Sequence, residues 1–225
     1  MTLFDVTTAE GSGRGCYVLL PEGVMTDMAK WAGEASAAFS TNIVLVSGLD
    51  WNRDMSPWPA DGVMKARKNF AGGGRSFLEK LTSDYMPAVE QWLNLEDPSR
   101  YLLGISLSGL FALWSLSKYD GFRGVASVSG SLWFDGFVEW MSRTPFSGSA
   151  EIYLSLGVRE KDVRDARMSK VEDATKEIAS LLGGKGYDVT FEMVPGTHFS
   201  PAAPKFDRAL GILLGTREKL LAPER

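Results

Sequence analysis

The chain has 225 residues, 44% of them hydrophobic, enough to bury one full core, so a single domain spanning 1–225 is expected. A formal net charge of −4 argues against nucleic acid as the main partner. One cysteine, Cys16, cannot build an internal disulfide framework and fits a reducing compartment.

Residues 1–15 carry Asp5 and Glu10 and no apolar run, so they read as neither a signal peptide nor an anchor. No stretch is long and apolar enough to span a bilayer, and a cytoplasmic protein without membrane partners is expected. Gly11-Ser12-Gly13-Arg14-Gly15 reads as a flexible turn, since no helix follows it as a phosphate cradle requires. Residues 16–20 form a short apolar strand stopped by Pro21-Glu22-Gly23. Met28, Trp31, Ala32, Ala35 and Phe39 recur at helical spacing, which predicts an amphipathic helix over 25–39. A second buried strand follows at 43–46. Strand, helix, strand in this order implies a parallel sheet with crossover helices.

Residues 48–74 read as one long irregular loop, of the kind that often serves as a lid or binding loop. Ser76 and Glu79 then have the spacing of a capping box for a helix running to about Leu93. That helix start has the two readings of an anion site and of simple capping and flexibility, of which the second is the plainer. Asp97-Pro98-Ser99 turns the chain into a short strand at 101–105, which passes through a small-residue pivot into an almost wholly apolar helix. Further strands are expected at 124–128, 151–156 and 188–194, with helices on the spacing of Met168, Val171, Ala174, Ile178 and Leu181 and of Phe206, Leu210, Leu213 and Leu214.

Ser106 occupies the pivot, two residues after Gly104. That approximates the G-x-S-x-G nucleophile elbow, which lifts a serine hydroxyl above a sheet and aims the next backbone N–H at the reacting oxygen. Ser108 stands where the second glycine belongs, and a small residue at a strand–helix junction would look the same. Ser108 is a poorer nucleophile candidate, because Leu110 sits where its own second glycine would be needed. A serine hydroxyl needs a base within reach, and the chain holds one histidine, His198, in a loop after the last expected strand. A solvated loop histidine is the plainer reading of it alone. The serine–acid–histidine order of a hydrolase triad puts it in the right place.

The acid should follow the strand at 151–156. Glu160, Asp162 and Asp165 all do, interleaved with Arg159, Lys161, Arg164 and Arg167 in what could equally be a solvated, salt-bridged surface. Glu160 is the first choice, because it ends a Gly-x-x-acid turn, and Asp162 the second. Two N–H donors are needed for an oxyanion. Leu107, directly after Ser106, is one expectation, and Val24, after the turn at Gly23, is the other. Neither glycosidase chemistry nor metal catalysis is supported. No carboxylate pair is marked out, and one histidine and one distant cysteine cannot make the usual N/S ligand set. No metal or other cofactor is expected.

These residues together give the chain a resemblance to the putative-esterase branch of the α/β-hydrolases, which includes the enterobactin and salmochelin trilactone esterases and, more distantly, esterase D and the mycolyltransferases. Tyr17-Val18-Leu19-Leu20-Pro21-Glu22-Gly23 resembles that group's strand and oxyanion turn, and Arg53-Asp54-Met55-Ser56-Pro57 its Arg-containing loop. Gly104-Ile105-Ser106-Leu107-Ser108-Gly109 is similar to its elbow, Ser129-Gly130-Ser131-Leu132-Trp133 to its tryptophan loop, and Gly196-Thr197-His198-Phe199 to its histidine loop. Ile105 replaces the usual histidine before the nucleophile, and Ser108 a glycine after it. The resemblance implies an α/β-hydrolase fold: a mostly parallel central sheet with helices on both faces, a three-layer sandwich. It implies a serine esterase acting on a small ester, siderophore-type or other, with a Ser–His dyad as a variant.

Arg53, Trp58 and Trp133 are the expected substrate-binding residues, with Trp51 as a further wall of an aromatic-lined pocket; packing of the tryptophans under the loop is the competing account. If Arg53, Lys65, Arg67, Lys68 and Arg75 face the site, an anionic or catecholate-bearing substrate is implied; otherwise they are ordinary solvated surface. Acyl transfer to an alcohol by the same triad, and a catalytically inactive binding protein on the same fold, are the alternative functions. Oligomeric state is left open.

Overall fold

A computed structural model of the chain describes residues 2–10, 12–21, 25–63, 69–146 and 148–216. The first half runs β1 (Leu3–Thr7), β2 (Arg14–Leu19), α1 (Met25–Phe39), β3 (Asn42–Ser47), α2 (Trp51–Asp54), and the two-residue strands β4 (Pro59–Ala60) and β5 (Phe70–Ala71). Helices α3 (Gly74–Lys80) and α4 (Met86–Trp92) are joined by a π-helical turn at Leu81–Tyr85, next to Pro87, which lacks an N–H for the regular ladder. The second half runs β6 (Ser99–Ile105), α5 (Leu107–Ser115), β7 (Phe122–Val128), α6 (Phe137–Arg143), β8 (Glu151–Gly157), a 3-10 turn at Met168–Lys170, α7 (Val171–Gly184), β9 (Val189–Val194) and α8 (Ala202–Leu213).

Seven strands form one sheet in the order β1-β3-β2-β6-β7-β8-β9, all parallel except the antiparallel edge strand β1. The inner strands are continuous apolar runs buried on both faces, as parallel strands must be. Alternate residues point to opposite sides. Tyr17, Leu19, Val44 and Leu154 join the core under α3 to α7, whereas Val18, Leu45, Ala126 and Tyr153 join the core under α1 and α8. Helices therefore cover both faces of a mostly parallel sheet, the layered α/β architecture expected from the strand–helix alternation. Among the described residues no helix is long and apolar enough to cross a membrane.

Chain order sets where a site can form. From β2 the chain moves outward to β3, then returns to the other side of β2 as β6. The carboxyl ends of β2 and β6, paired in register at Leu19 and Gly104, therefore flank the switch point where the loops diverge and leave a crevice.

Two local expectations are corrected, and two elements form that the sequence pattern does not show. β1 was not anticipated: Phe4 and Val6 pack against the core around an exposed Asp5, and such a short alternation at an edge contains no apolar run. Segment 48–74 is not structureless, because α2 and the β4–β5 hairpin fold within it. The Ser76–Glu79 capping box does not form. The Gly73 and Gly74 amides donate to Arg53 O (2.8 Å) and Ser56 O (3.0 Å), the helix starts earlier, and Glu79 pairs with Arg75 at 3.0 Å. Helix α6, too short to show a period, buries Phe137 and Met141.

Candidate active site

The site begins at the turn from β6 into α5. Ser106 holds φ 59° and ψ −123°, a positive-φ conformation that costs a non-glycine residue on the order of 1–3 kcal/mol and concentrates at functional sites. Its backbone is pinned on both sides: Ser106 N donates to Val128 O (3.1 Å) and Ser131 N donates to Ser106 O (2.9 Å). The turn is so tight that a Cβ on Gly104 would lie 2.1 Å from Ser108 O, which is why glycine is required there. Ser108, in the position of the missing second glycine, is fully buried. Its Oγ accepts from Ile105 N (2.9 Å) and lies 2.9 Å from the carbonyl oxygens of Leu19 and Ile105, so the substitution fastens the elbow to the end of β2. Leu107 opens α5, and its amide is one of the N-terminal N–H groups that have no intrahelical acceptor.

His198 reaches this turn from the loop after β9. Its Nε2 lies 3.1 Å from Ser106 Oγ and its Nδ1 lies 3.0 Å from Glu160 Oε2. An ionised carboxylate only accepts, so the Nδ1 position carries the hydrogen and the Nε2 lone pair faces the serine. Glu160 sits in the turn after β8, 5% exposed. Its second oxygen, Oε1, accepts from Ser129 Oγ (2.6 Å) and from the Gly157 N–H (2.8 Å). A side chain on Gly157 would clash with both Gly196 O and this carboxylate. Burial pushes the Glu160 carboxyl up, but hydrogen bonds from His198, Ser129 and Gly157 outweigh it and hold the group below its ordinary value. The acid and histidine loops are laced together by Val158 N to Val194 O (2.9 Å) and Arg159 N to Gly196 O (3.2 Å).

Asp162, the second candidate acid, is turned to solvent beside Arg159, 3.9 Å from its Nε. Cys16, the chain's thiol, lies in the core, where burial pushes it up to about 12 and leaves it protonated. Val24 and the basic residues Lys65, Arg67 and Lys68 lie outside the described residues, as does Gly23.

Two cavities meet at Ser106 and His198. One, about 500 Å³, is lined by Pro21, Asp27, Met28, Trp51, Ile105, Phe199, Ser200, Pro201, Ala202 and Ala203. The other, about 100 Å³, shares Trp51 and Phe199 with it and includes Asn52, Val63, Phe70, Leu107, Ser131, Trp133 and Met168. Trp133 thus reaches the site. Trp58 does not line either cavity: its Nε1 donates to Asp135 O (3.0 Å) and its ring packs with Phe134, Phe137 and Trp140. Arg53 is likewise drawn elsewhere, into an ion pair with Asp54 (2.9 Å), and lines a separate cavity with Thr2, Ser76, Lys80 and Tyr85. Arg75 is held by Glu79 on the surface.

Residues that sequence reasoning gave no role also converge here. Ser131 Oγ is 3.4 Å from Ser106 Oγ, Ser129 touches the acid, and Phe199, 87% exposed, stands edge-on to the His198 ring. Lys205 on α8 is buried behind Glu160; burial lowers its ammonium from the ordinary value, with Glu160 opposing that. The Ser129-Gly130-Ser131 string was the available signal for the two serines. A helical lysine among core positions carries none.

Comparison with known proteins gives one family model, described as Putative esterase, matching residues 22–210. An uncharacterized protein of Bacillus subtilis (strain 168), YbbA, is 28% identical over 151 residues, 64% of this chain. The match spans 60% of that relative's length, less than two thirds. Among solved structures, the enterobactin and salmochelin hydrolase IroE superposes with a TM-score of 0.70 at 25% identity, over 94% of this chain and 89% of its own. The siderophore hydrolase EstA from Aspergillus nidulans gives 0.71 at 19% identity, over 95% and 90%. The enterobactin esterase FES from Shigella flexneri gives 0.70 at 17% identity, over 98% of this chain and 56% of its own.

Proposed function

The chain belongs to the Putative esterase family, and from that premise we propose that it is a carboxylic ester hydrolase working through an acyl-enzyme on Ser106. The observation that carries the reading is the continuous chain Ser106 Oγ–His198 Nε2 (3.1 Å) and His198 Nδ1–Glu160 Oε2 (3.0 Å), seated at a positive-φ strand–helix turn. His198 takes the serine proton as Oγ attacks the ester carbonyl, then returns it to the leaving alcohol; water repeats the cycle on the acyl-enzyme. A positioned base of this kind contributes about 10²–10⁴-fold. Glu160 keeps the imidazole in the tautomer that can accept at Nε2 and stabilises the imidazolium. The Leu107 amide is one oxyanion donor and the Val24 amide is the expected second, each worth about 3–4 kcal/mol in a preorganised site.

The substrate is a small ester, either siderophore-type, as the named activities of IroE, EstA and FES suggest by analogy, or simpler. The larger cavity is walled mostly by apolar side chains, which supports an ester with one apolar arm. A panel of short and long acyl esters with a trilactone siderophore included tests this. Hydrolysis that is abolished in Ser106→Ala and His198→Ala is the expected result. Turnover retained by Ser106→Ala would contradict the mechanism, and preferential acyl transfer to an added alcohol would make the chain a transferase.

A further inference from the structure

Behind the acid lies a buried charge that this reaction scheme leaves unused. Lys205 is 6% exposed; its Nζ donates to Ser129 Oγ (2.9 Å) and to Thr197 O (3.2 Å) and lies 3.9 Å from Glu160 Oε1. An ammonium has only donors. Ser129 Oγ must therefore accept from Lys205, and its single hydroxyl proton is committed to Glu160 Oε1 at 2.6 Å. That leaves Oε2 to His198 and fixes the direction of each bond in the run from Lys205 to Ser106. The second Lys205 contact holds the carbonyl of the residue just before His198. A buried lysine is a poor way to stabilise a core, since a well-packed apolar side chain of similar volume does as well or better.

We infer that Lys205 is a positioning residue for the hydrolysis: through Ser129 it orients Glu160 and offsets its charge, and through the Thr197 carbonyl it seats the histidine loop. The inference rests on the hydrolase reading of Ser106. Among the described residues the titratable groups facing Lys205 are Glu160 from the turn after β8 and His198 beyond that carboxylate. On α8 itself, Asp207 is taken by Trp31 Nε1 (2.7 Å) and Arg208 by Glu192 of β9. Removing the ammonium leaves the Glu160 charge to act undiluted on His198, which favours the imidazolium. The acid limb of the rate profile then moves to higher pH.

The test is the pH dependence of kcat/KM for p-nitrophenyl acetate in wild type, Lys205→Met, Ser129→Ala and the double variant, with fluorophosphonate labelling of Ser106 in the same preparations. Lys205→Met is expected to move the acid limb to higher pH and to lower kcat about tenfold, with KM within about threefold. Ser129→Ala is expected to lower kcat about tenfold, and the double variant to cost no more than Lys205→Met alone, because the two act in series. Should Lys205→Met fail to fold, Ser129→Ala decides: unchanged kcat overturns the inference, and a tenfold loss at unchanged KM supports it. A wild-type acid limb in folded Lys205→Met, or additive losses, overturns it while a labelled, active wild type leaves the hydrolase reading standing. Wild type that neither labels nor hydrolyses removes both.

Discussion

Glu160→Gln changes one atom and should nearly abolish turnover. In the native site Oε1 accepts two donors, from Ser129 Oγ and the Gly157 N–H, whereas among the described residues Oε2 meets only His198 Nδ1. A glutamine placed there has one oxygen and one NH₂. Turning the NH₂ toward Oε1's place opposes two donors, so the oxygen stays there and the NH₂ faces Nδ1. The imidazole must then accept at Nδ1 and carry its hydrogen on Nε2, toward Ser106, where it can no longer take a proton. The equivalent amide swap in a serine triad on another fold costs about 10⁴-fold by this wrong-tautomer route. The expected loss in kcat is therefore about 10³–10⁴-fold, or ~4–5.5 kcal/mol of transition-state stabilisation. Asp162→Ala, at the surface beside Arg159, should stay within about twofold of wild type, as peripheral charges do. Steady-state kinetics with a chromogenic ester, alongside thermal melts to confirm folding, read both. Glu160→Gln retaining more than a tenth of wild-type kcat would refute the tautomer argument, and a large loss in Asp162→Ala would move the acid.

Glu160 also links stability to pH. Its folded value lies below the ordinary 4.5, so its contribution is complete above that value and is lost as pH falls through the folded value. The wild-type advantage in melting temperature over Glu160→Gln should thus shrink between pH 6 and pH 3, and an advantage that grows on acidification would reverse the sign. Ser108→Ala should destabilise by about 1–3 kcal/mol in urea titrations, because the amide of Ile105 and the carbonyl of Leu19 lose a buried partner; a neutral result would mean the elbow does not depend on that fastening. Arg53→Ala should leave kcat/KM for neutral esters within about twofold, since its guanidinium is engaged by Asp54 and lines another cavity. A tenfold loss would bring Arg53 back to the substrate.

Features carried by neighbouring residues were readable from the sequence. The β6–α5 turn announces itself through Gly104, Ser106 and the apolar run on either side, and the switch-point crevice follows from strand order alone. The acid was ambiguous because Glu160 and Asp162 share one charged run. The contacts that set the buried carboxylate apart from the exposed one come from His198 and Ser129 on other loops and from the Gly157 amide. Lys205 and Ser129 are 76 residues apart, and periodicity cannot report such a contact. Arg53 and Trp58 lie in a segment whose sequence reads as a long open loop free to face the site. Once α2 and the β4–β5 hairpin form, Asp54 and the aromatic cluster around Phe137 claim them.

The central claim, that Ser106 is the nucleophile, is tested most directly by treating the native protein with a fluorophosphonate and mapping the adduct by peptide mass spectrometry. The site geometry predicts one phosphonylated serine, Ser106, with labelling lost in Ser106→Ala and strongly slowed in His198→Ala. An adduct on Ser108, Ser129 or Ser131, or undiminished labelling of Ser106→Ala, would contradict it.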